Sequence, residues 1–258
     1  MLFTSIFPLY IVKSLSASGE YIMHLFAFLA SHAYYILVAV SAIPMFMWFM
    51  EFRKDLDIDK IWLMLLIQIS IFAVGLLSVT AVVNLENYLS GQGLANRRGW
   101  AIFFTTPIYL LIGAKVTKRD PKMVTDIFVV QILIAYFFGR TACLFQGCCI
   151  GKIIPGTEFR WPLREAELLF VAIFIYVLGR KAYRRSFDGR SFPMFLTAYG
   201  FFRFFLEFLR EPLHAYFGPF SSVQIGCIIF FLMGVFWLLI LYIQNSRTKK
   251  SIIDGGKK

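Results

Sequence analysis

The sequence has few charged residues for its length, and few of those are acidic. Only 16% of the 258 residues are charged, and the 26 lysines and arginines outnumber the 15 aspartates and glutamates. Apolar residues make up 59% of the chain and include 30 phenylalanines, which is far from the composition of a soluble domain. The apolar segments also lack the alternating pattern of transmembrane β-strands. These absences predict an α-helical membrane protein.

Further absences narrow the class of protein. The basic residues form short clusters between apolar segments without a nucleic-acid-binding motif, so the net charge of +11 does not indicate nucleic acid as a partner. No internal repeat is evident, and the polar connections are too short for a soluble domain, so residues 1–258 are predicted to form a single membrane domain. The chain begins without the basic segment and small-residue cleavage site of a secretory signal, so we interpret residues 2–12 as an amphipathic lead-in.

Apolar segments of about 20 residues, the length that crosses a bilayer, predict seven transmembrane helices. Most lysines and arginines lie in the connections that follow the first, third and fifth spans and in the C-terminal tail. By the positive-inside rule, the N-terminus is then outside and the C-terminus cytoplasmic. The expected fold is an all-α polytopic membrane protein. Its predicted spans are residues 30–50, 61–83, 99–116, 125–145, 165–179, 192–210 and 223–243.

Charged side chains interrupt the sixth span at helical spacing. Arg203, Glu207 and Arg210 fall on one narrow helix face with Tyr199, and phenylalanines and leucines cover the other faces. The predicted topology places this face toward the outer leaflet, together with Arg140 near the end of the fourth span. Charges within a membrane are costly, so such residues usually face the bundle interior and have a partner.

Two interpretations of these charges are open. Glu207 can pair with Arg203 one turn earlier while Arg210 extends to the membrane surface, in which case the charges only stabilise the helix end. Alternatively, the arginines bind an anionic lipid group, because one glutamate does not neutralise Arg140, Arg203 and Arg210 together. Arginine matches phosphate oxygens bidentately. This second interpretation predicts a phospholipid head-group site that opens to the outer leaflet.

The motif around these charges is similar to that of the prolipoprotein diacylglyceryl transferases. The family pattern Y-G-x-x-R-x-x-x-E-x-x-R-x-P is reproduced by Tyr199-Gly200, Arg203, Glu207, Arg210 and Pro212. Weaker matches to other family segments run through most of the chain. They are His32 with Tyr34, Asp126, Gly139-Arg140 with Cys143, Gln146-Gly147 and Gly151, Pro162 with Glu167, and Gln224.

The resemblance implies an enzyme of the bacterial cytoplasmic (inner) membrane that crosses it several times. It would move a diacylglyceryl group from phosphatidylglycerol to the lipobox cysteine of a lipoprotein precursor, with no cofactor and no metal. The same resemblance implies catalytic roles for Arg140, Arg203 and Glu207. The substrate-binding residues would be Tyr199, Arg210, Gly139, Gly147, Gly151, Gln146, Glu167 and His32.

Two segments depart from the family pattern. The second span lacks the arginine and tyrosine of G-[GA]-R-x-G-Y and has the stretch from Gly75 to Thr80 in that place. The third span lacks the histidine of an H-G-G segment and begins Arg98-Gly99-Trp100. These departures favour an alternative function, a non-catalytic or repurposed lipid-binding paralogue in the membrane. A small-solute transporter is a third hypothesis, which the absence of repeats disfavours.

Three of the four cysteines, Cys143, Cys148 and Cys149, cluster at the outer end of the fourth span. The oxidising outer side permits a disulfide from Cys143 to either of the others, with one thiol left free. A cysteine nucleophile that relays the lipid group is a further alternative, although a structural role is favoured. No set of histidines and cysteines has the spacing of zinc ligands, so we predict no metal site.

Overall fold

The computed structural model describes residues 32–33, 36–58, 61–91, 101–147, 149–211 and 216–255, and nearly all of them are helical. Cys148, Pro212, residues 2–12 and the start of the predicted third span lie outside the described residues. The helices are α1 (Ala42–Phe52), α2 (Ile61–Ser90), α3 (Ile102–Thr117), α4 (Pro121–Gln146), α5 (Leu163–Tyr183), α6 (Ser191–Phe208) and α7 (Ser222–Gly255), and residues 36–40 are also helical. The antiparallel strands β1 (Tyr216–Phe217) and β2 (Phe220–Ser221) precede α7.

The apolar helices have the dimensions of membrane spans. Leu65–Leu89, Pro121–Gln146 and Ser222–Ser246 are each long and apolar enough to cross a bilayer, and Ile36–Phe52 and Ile102–Thr117 are apolar but shorter. Many large apolar side chains, such as those of α2 and α7, are exposed on the outside of the bundle. A soluble protein of this size would bury most of them. Helices α5 and α6 carry several charged residues, which lower their hydropathy. The architecture is therefore consistent with a polytopic membrane protein.

Helix α4 is defined by ordinary end signals. The Asp120 side chain accepts a hydrogen bond from Lys122 N at 2.8 Å, and Pro121 occupies the first turn, where its missing N–H has no consequence. The helix ends where Gly147 adopts a left-handed conformation with φ of +64°, which glycine tolerates best. These signals fix the length of the helix that carries Arg140.

Asp126 anchors the start of α6 at the opposite end of α4. Its buried carboxylate accepts hydrogen bonds from the backbone N–H groups of Asp188, Gly189 and Ser191 at 2.8, 2.9 and 3.0 Å. Partial burial raises the pKa of Asp188, but the hydrogen bonds from Lys181 and from Arg190 N, together with the charges of both residues, outweigh this effect and hold that pKa below its ordinary value. Asp126 therefore positions α6, the helix that carries the charged face, through contacts at the start of that helix.

Helices α6 and α7 approach closely at two glycines. A Cβ atom on Gly200 would lie 2.6 Å from Cys227 O and 2.7 Å from Phe231 N, both of which are backbone atoms. A Cβ atom on Gly234 would lie 2.7 Å from Thr197 N. Small residues allow this backbone approach in membrane helices, where packing replaces the hydrophobic effect as the source of association. The close contact fixes the position of α6 in the bundle.

Candidate functional site

The buried carboxylate of Glu167 joins three helices. Its Oε2 lies 2.6 Å from Arg140 Nη2 of α4 and 3.7 Å from Arg203 Nε of α6. Its Oε1 accepts hydrogen bonds from Arg140 Nη2 at 2.7 Å, from the Tyr136 hydroxyl at 2.6 Å and from the Tyr199 hydroxyl at 2.9 Å. Glu167 on α5 is therefore the centre of the charged cluster, which we define as Tyr136, Arg140, Glu167, Tyr199, Arg203, Glu207 and Arg210.

Glu207 forms a second ion-pair layer in the charged cluster. Its Oε2 lies 2.9 Å from Arg203 Nη2, one turn earlier on α6, and 3.7 Å from Arg210 Nη1. All three residues are buried, with 2% of Arg203, 8% of Glu207 and 7% of Arg210 exposed. The predicted pair between Arg203 and Glu207 is confirmed. Glu207 does not face the three arginines alone, because Glu167 supplies a second carboxylate.

Aromatic packing holds the two tyrosines in place. The Tyr199 ring stacks on Phe195 with centroids 5.3 Å apart and contacts Phe103 edge-on at 5.1 Å. Tyr136 also contacts Phe103, at 5.0 Å, and its hydroxyl lies 2.7 Å from that of Tyr199. Rigid rings therefore direct both hydroxyls at Glu167. Arg140 Nε donates to the Tyr136 hydroxyl at 3.1 Å, which completes the connection to α4.

The charged cluster retains unused hydrogen-bonding capacity. Three arginines face two glutamates, which leaves an excess of one positive charge. Within the described part of the chain, the buried Nε atoms of Arg203 and Arg210 have no hydrogen-bond partner. Buried donors are nearly always satisfied, so both atoms indicate a preference for an additional acceptor. The arrangement is suited to binding an anion.

A narrow cleft lies beside these arginines, and the side chains that line it leave no enclosed space large enough for a water molecule. The Cys149 Sγ at its edge lies 3.4 Å from Arg140 Nη1. The cleft is lined by Cys149, Leu163, Arg164, Glu167, Arg203 and Arg210.

Backbone pairing ties the loop between α4 and α5 to the end of α6. Gly151 and Arg210 form an antiparallel bridge, and Lys152 N donates to Leu209 O at 2.8 Å. A Cβ atom on Gly151 would lie 2.3 Å from Trp161 O, so a larger residue would displace the loop. This pairing sets the position of both Cys149 and Arg210 at the cleft.

Comparison with known proteins identifies the family. A family model of prolipoprotein diacylglyceryl transferases matches residues 21–240. The chain belongs to this family. It is similar to the phosphatidylglycerol–prolipoprotein diacylglyceryl transferase of Chlorobaculum tepidum, with 25% identity over 58% of the chain and 57% of that protein. It is also similar to transferase 2 of Clostridium perfringens, with 29% identity over 55% of the chain and 58% of that protein. The transferase of Treponema denticola is 30% identical over 64% of the chain and 66% of that protein. The chain thus spans a little over half the length of the first two relatives.

The structure locates the other residues that resemblance to the transferase family suggested. Gly139 precedes Arg140 within α4 and is partly buried. Gln146 is exposed at the end of α4, next to Gly147. His32 is exposed in a helical segment. Their substrate-binding roles stay predictions, and so does the pairing of Cys143, which lies on α4 with its Sγ 3.8 Å from Gly139 O.

Two residues of this transferase-family member, Tyr136 in the charged cluster and Arg164 in the cleft, are difficult to identify as site residues from the sequence. Tyr136 is one helical turn before Arg140 on α4, and that spacing is its only indication. The family segment R-x-P-x-Q-x-Y-E corresponds to residues 160–167 of this chain, and Arg164 stands where that segment has glutamine, so the pattern assigns this arginine no role. Among the described residues, no group of three histidine, cysteine or acidic side chains is arranged to hold a metal ion.

Proposed function

We propose that the chain is a phosphatidylglycerol:prolipoprotein diacylglyceryl transferase-like enzyme that acts at the outer leaflet of the bacterial cytoplasmic membrane. The observation that carries this proposal is the buried charged cluster, in which Arg203 and Arg210 line a cleft and each keep an Nε atom without a hydrogen-bond partner among the described residues. Family membership and the names of the relatives support it. The partners would be phosphatidylglycerol and a lipoprotein precursor.

The proposed topology has seven spans, with the N-terminus outside and the C-terminus cytoplasmic. The apolar helices and the distribution of lysine and arginine support this arrangement. Arg140 lies near the end of α4, and the charged face lies in the second half of α6. In this topology both helices run outward, so the charged cluster lies toward the outer leaflet.

In this proposal only the lipid head group contacts the cleft, which is too narrow for acyl chains. A phosphate group would enter between Arg203 and Arg210, while the acyl chains would lie along the outside of the bundle. Phenylalanines on the outer face of α6 provide an apolar surface there, since half or more of each side chain is exposed. They are Phe201, Phe205 and Phe208.

The proposed reaction transfers the diacylglyceryl group through its phosphate-bearing carbon. The acceptor thiol releases its proton to solvent, and the resulting thiolate forms a C–S bond while the bond between that carbon and the phosphate oxygen breaks. The bonding electron pair leaves with glycerol phosphate, whose charge changes from that of a monoanionic diester to that of a dianionic monoester. In this proposal Arg140 and Arg203 stabilise this charge, and Glu207 orients Arg203, whose Nη2 lies 2.9 Å from Glu207 Oε2.

One feature of the bundle favours the alternative of a non-catalytic or repurposed lipid-binding paralogue. The stretch from Gly75 to Thr80, which lacks the family arginine, lies in α2. There the Ser78 hydroxyl hydrogen-bonds to Thr105 of α3, and a Cβ atom on Gly75 would lie 3.0 Å from Ile102 Cδ1. This stretch therefore packs against α3 and adds no cation to the cleft.

Complementation distinguishes the two functions. The full chain is expressed in cells depleted of their own transferase, and lipoprotein processing is followed by mass spectrometry. A transferase should convert the precursor to its diacylglyceryl form. Accumulation of unmodified precursor, with the chain verified in the membrane, would reject the transferase function and support the lipid-binding paralogue.

Replacing Arg203 with lysine should lower transfer activity at least tenfold, although the charge is kept. Lysine is a point charge without the planar fork that binds phosphate oxygens bidentately, and single donors of this kind are worth about 10²–10³ in rate. The variant is measured in the same assay after its folding is verified by size-exclusion chromatography. Arg180→Lys, an exposed position on α5, is the matched control. Full activity of Arg203→Lys would show that Arg203 serves only an internal ion pair.

A further inference from the structure

Arg164 is the third arginine that lines the cleft, and it is only weakly paired. It is the second residue of α5, and 16% of its side chain is exposed. Its Nη1 lies 3.4 Å from Cys143 O, and its Nη2 lies 3.6 Å from Glu165 Oε1. Both distances exceed those of a strong charged hydrogen bond, which are about 2.7–2.9 Å. The guanidinium of Arg164 is therefore available to a ligand in the cleft.

When only side chains with less than about a fifth of their surface exposed are counted, the cleft and its ion-pair partners carry a charge of +2. The cations are Arg140, Arg164, Arg203 and Arg210, and the buried anions are Glu167 and Glu207. The nearby Glu165 has 49% of its side chain exposed, so solvent screens its contribution. A single negative charge would leave the site positive, whereas a doubly charged anion would neutralise it.

The position of Arg164 on α5 also favours an anionic ligand. A cation in the first turn is unfavourable, because the helix dipole already makes this end positive. No side chain caps the start of α5 at Pro162. Arg203 and Arg210 line the same cleft. Their buried Nε atoms have no hydrogen-bond partner among the described residues. These features together indicate an anion that bonds to several arginines at once.

We propose that the cleft prefers a dianionic phosphate monoester to a monoanionic phosphodiester, and that Arg164 is the residue that determines this preference. The inference builds on the proposed function, in which the phosphodiester substrate becomes a phosphate monoester as glycerol phosphate leaves. A phosphate monoester is mostly dianionic at neutral pH because its second pKa is about 6. The same chemistry occurs in soluble glycerol phosphate and in the head group of phosphatidic acid.

The test compares matched ligands on the full chain in phosphatidylcholine nanodiscs at neutral pH. Calorimetric titration with glycerol phosphate, the monoester, and glycerophosphoglycerol, the diester, gives a ratio of affinities. We expect wild type to bind the monoester about tenfold more tightly, the worth of roughly one charged hydrogen bond. Arg164→Gln should reduce the ratio to near one, and Arg164→Lys should retain part of it. Arg180→Gln, the same change at the exposed end of α5, should leave it unchanged.

A second set of measurements, with lipids in place of the soluble esters, identifies the source of the ligand. Nanodiscs that contain phosphatidic acid or phosphatidylglycerol are compared by native mass spectrometry. A preference seen with lipids alone supports a head-group ligand, and one seen with the soluble pair supports glycerol phosphate. Equal affinities for the two esters in wild type, or binding of neither ester, would overturn the inference. It would also be overturned by an unchanged ratio of affinities in an Arg164→Gln protein whose melting temperature equals that of Arg180→Gln. Failure of complementation with the preference intact would reject only the transferase function.

Discussion

Replacing Glu167 with glutamine is expected to destabilise the protein by about 3–5 kcal/mol and to abolish transfer. Glutamine keeps the size of the side chain but removes the charge that Arg140 and Arg203 face at 2.6 and 3.7 Å. Both arginines would stay buried without their shared carboxylate, which costs more than the ion pair itself contributes. Thermal unfolding in detergent and the lipoprotein-processing assay measure the two effects.

The neighbouring Glu165 provides a matched control for Glu167→Gln. Both glutamates are on the first turns of α5, but Glu165 is half exposed and lies 3.6 Å from Arg164. Glu165→Gln should change stability by less than about 1 kcal/mol. If Glu167→Gln melted at the wild-type temperature, the carboxylate would not be the electrostatic centre of the cluster.

A double variant separates stability from function at the same site. Arg140→Gln together with Glu167→Gln removes a cation and an anion, so less uncompensated charge is buried than in the single variant. The double variant should recover part of the lost stability. It should not recover transfer, because an arginine that faces the leaving phosphate is absent. Recovery of both properties would assign Arg140 and Glu167 a purely structural role.

The charged face of α6 could be predicted because its determinants are local. Arg203 and Glu207 are four residues apart, and helical geometry alone brings them together, at 2.9 Å in the structure. Placing Arg140 beside them required only that both helices run in the same direction. The structure confirms that these residues share one cluster, although their catalytic roles are not thereby tested.

The centre of the cluster could not be predicted from local pattern. Glu167 is on a different helix from Arg140, Arg203 and both tyrosines, and a pairing between distant segments has no periodic signature in one sequence. The family motif around Glu167 is also incomplete in this chain, because Arg164 and Ala166 stand where the pattern has glutamine and tyrosine. The hairpin before α7 was missed for a different reason, since its strands are only two residues each around Gly218.

Replacing Gly200 with alanine is expected to destabilise the bundle by about 1–3 kcal/mol and to reduce transfer strongly. Alanine normally stabilises a helix relative to glycine by about 1 kcal/mol, so the expected sign is opposite to helix propensity. The added Cβ would lie 2.6 Å from Cys227 O and 2.7 Å from Phe231 N. Because these are backbone atoms, relief requires α6 and α7 to separate. That movement would displace Tyr199 and Arg203, which share α6 with the glycine.

Gly179→Ala is the control for this effect, since Gly179 is also a buried helical glycine. A Cβ atom there would meet Trp48 at 3.7 Å, an ordinary van der Waals distance. This variant should melt at or above the wild-type temperature and keep its activity, whereas Gly200→Ala should melt lower and lose activity. Equal melting temperatures for the two variants would show that α6 and α7 can separate at little cost. The close packing of α6 would then not be what holds Arg203 against Glu167.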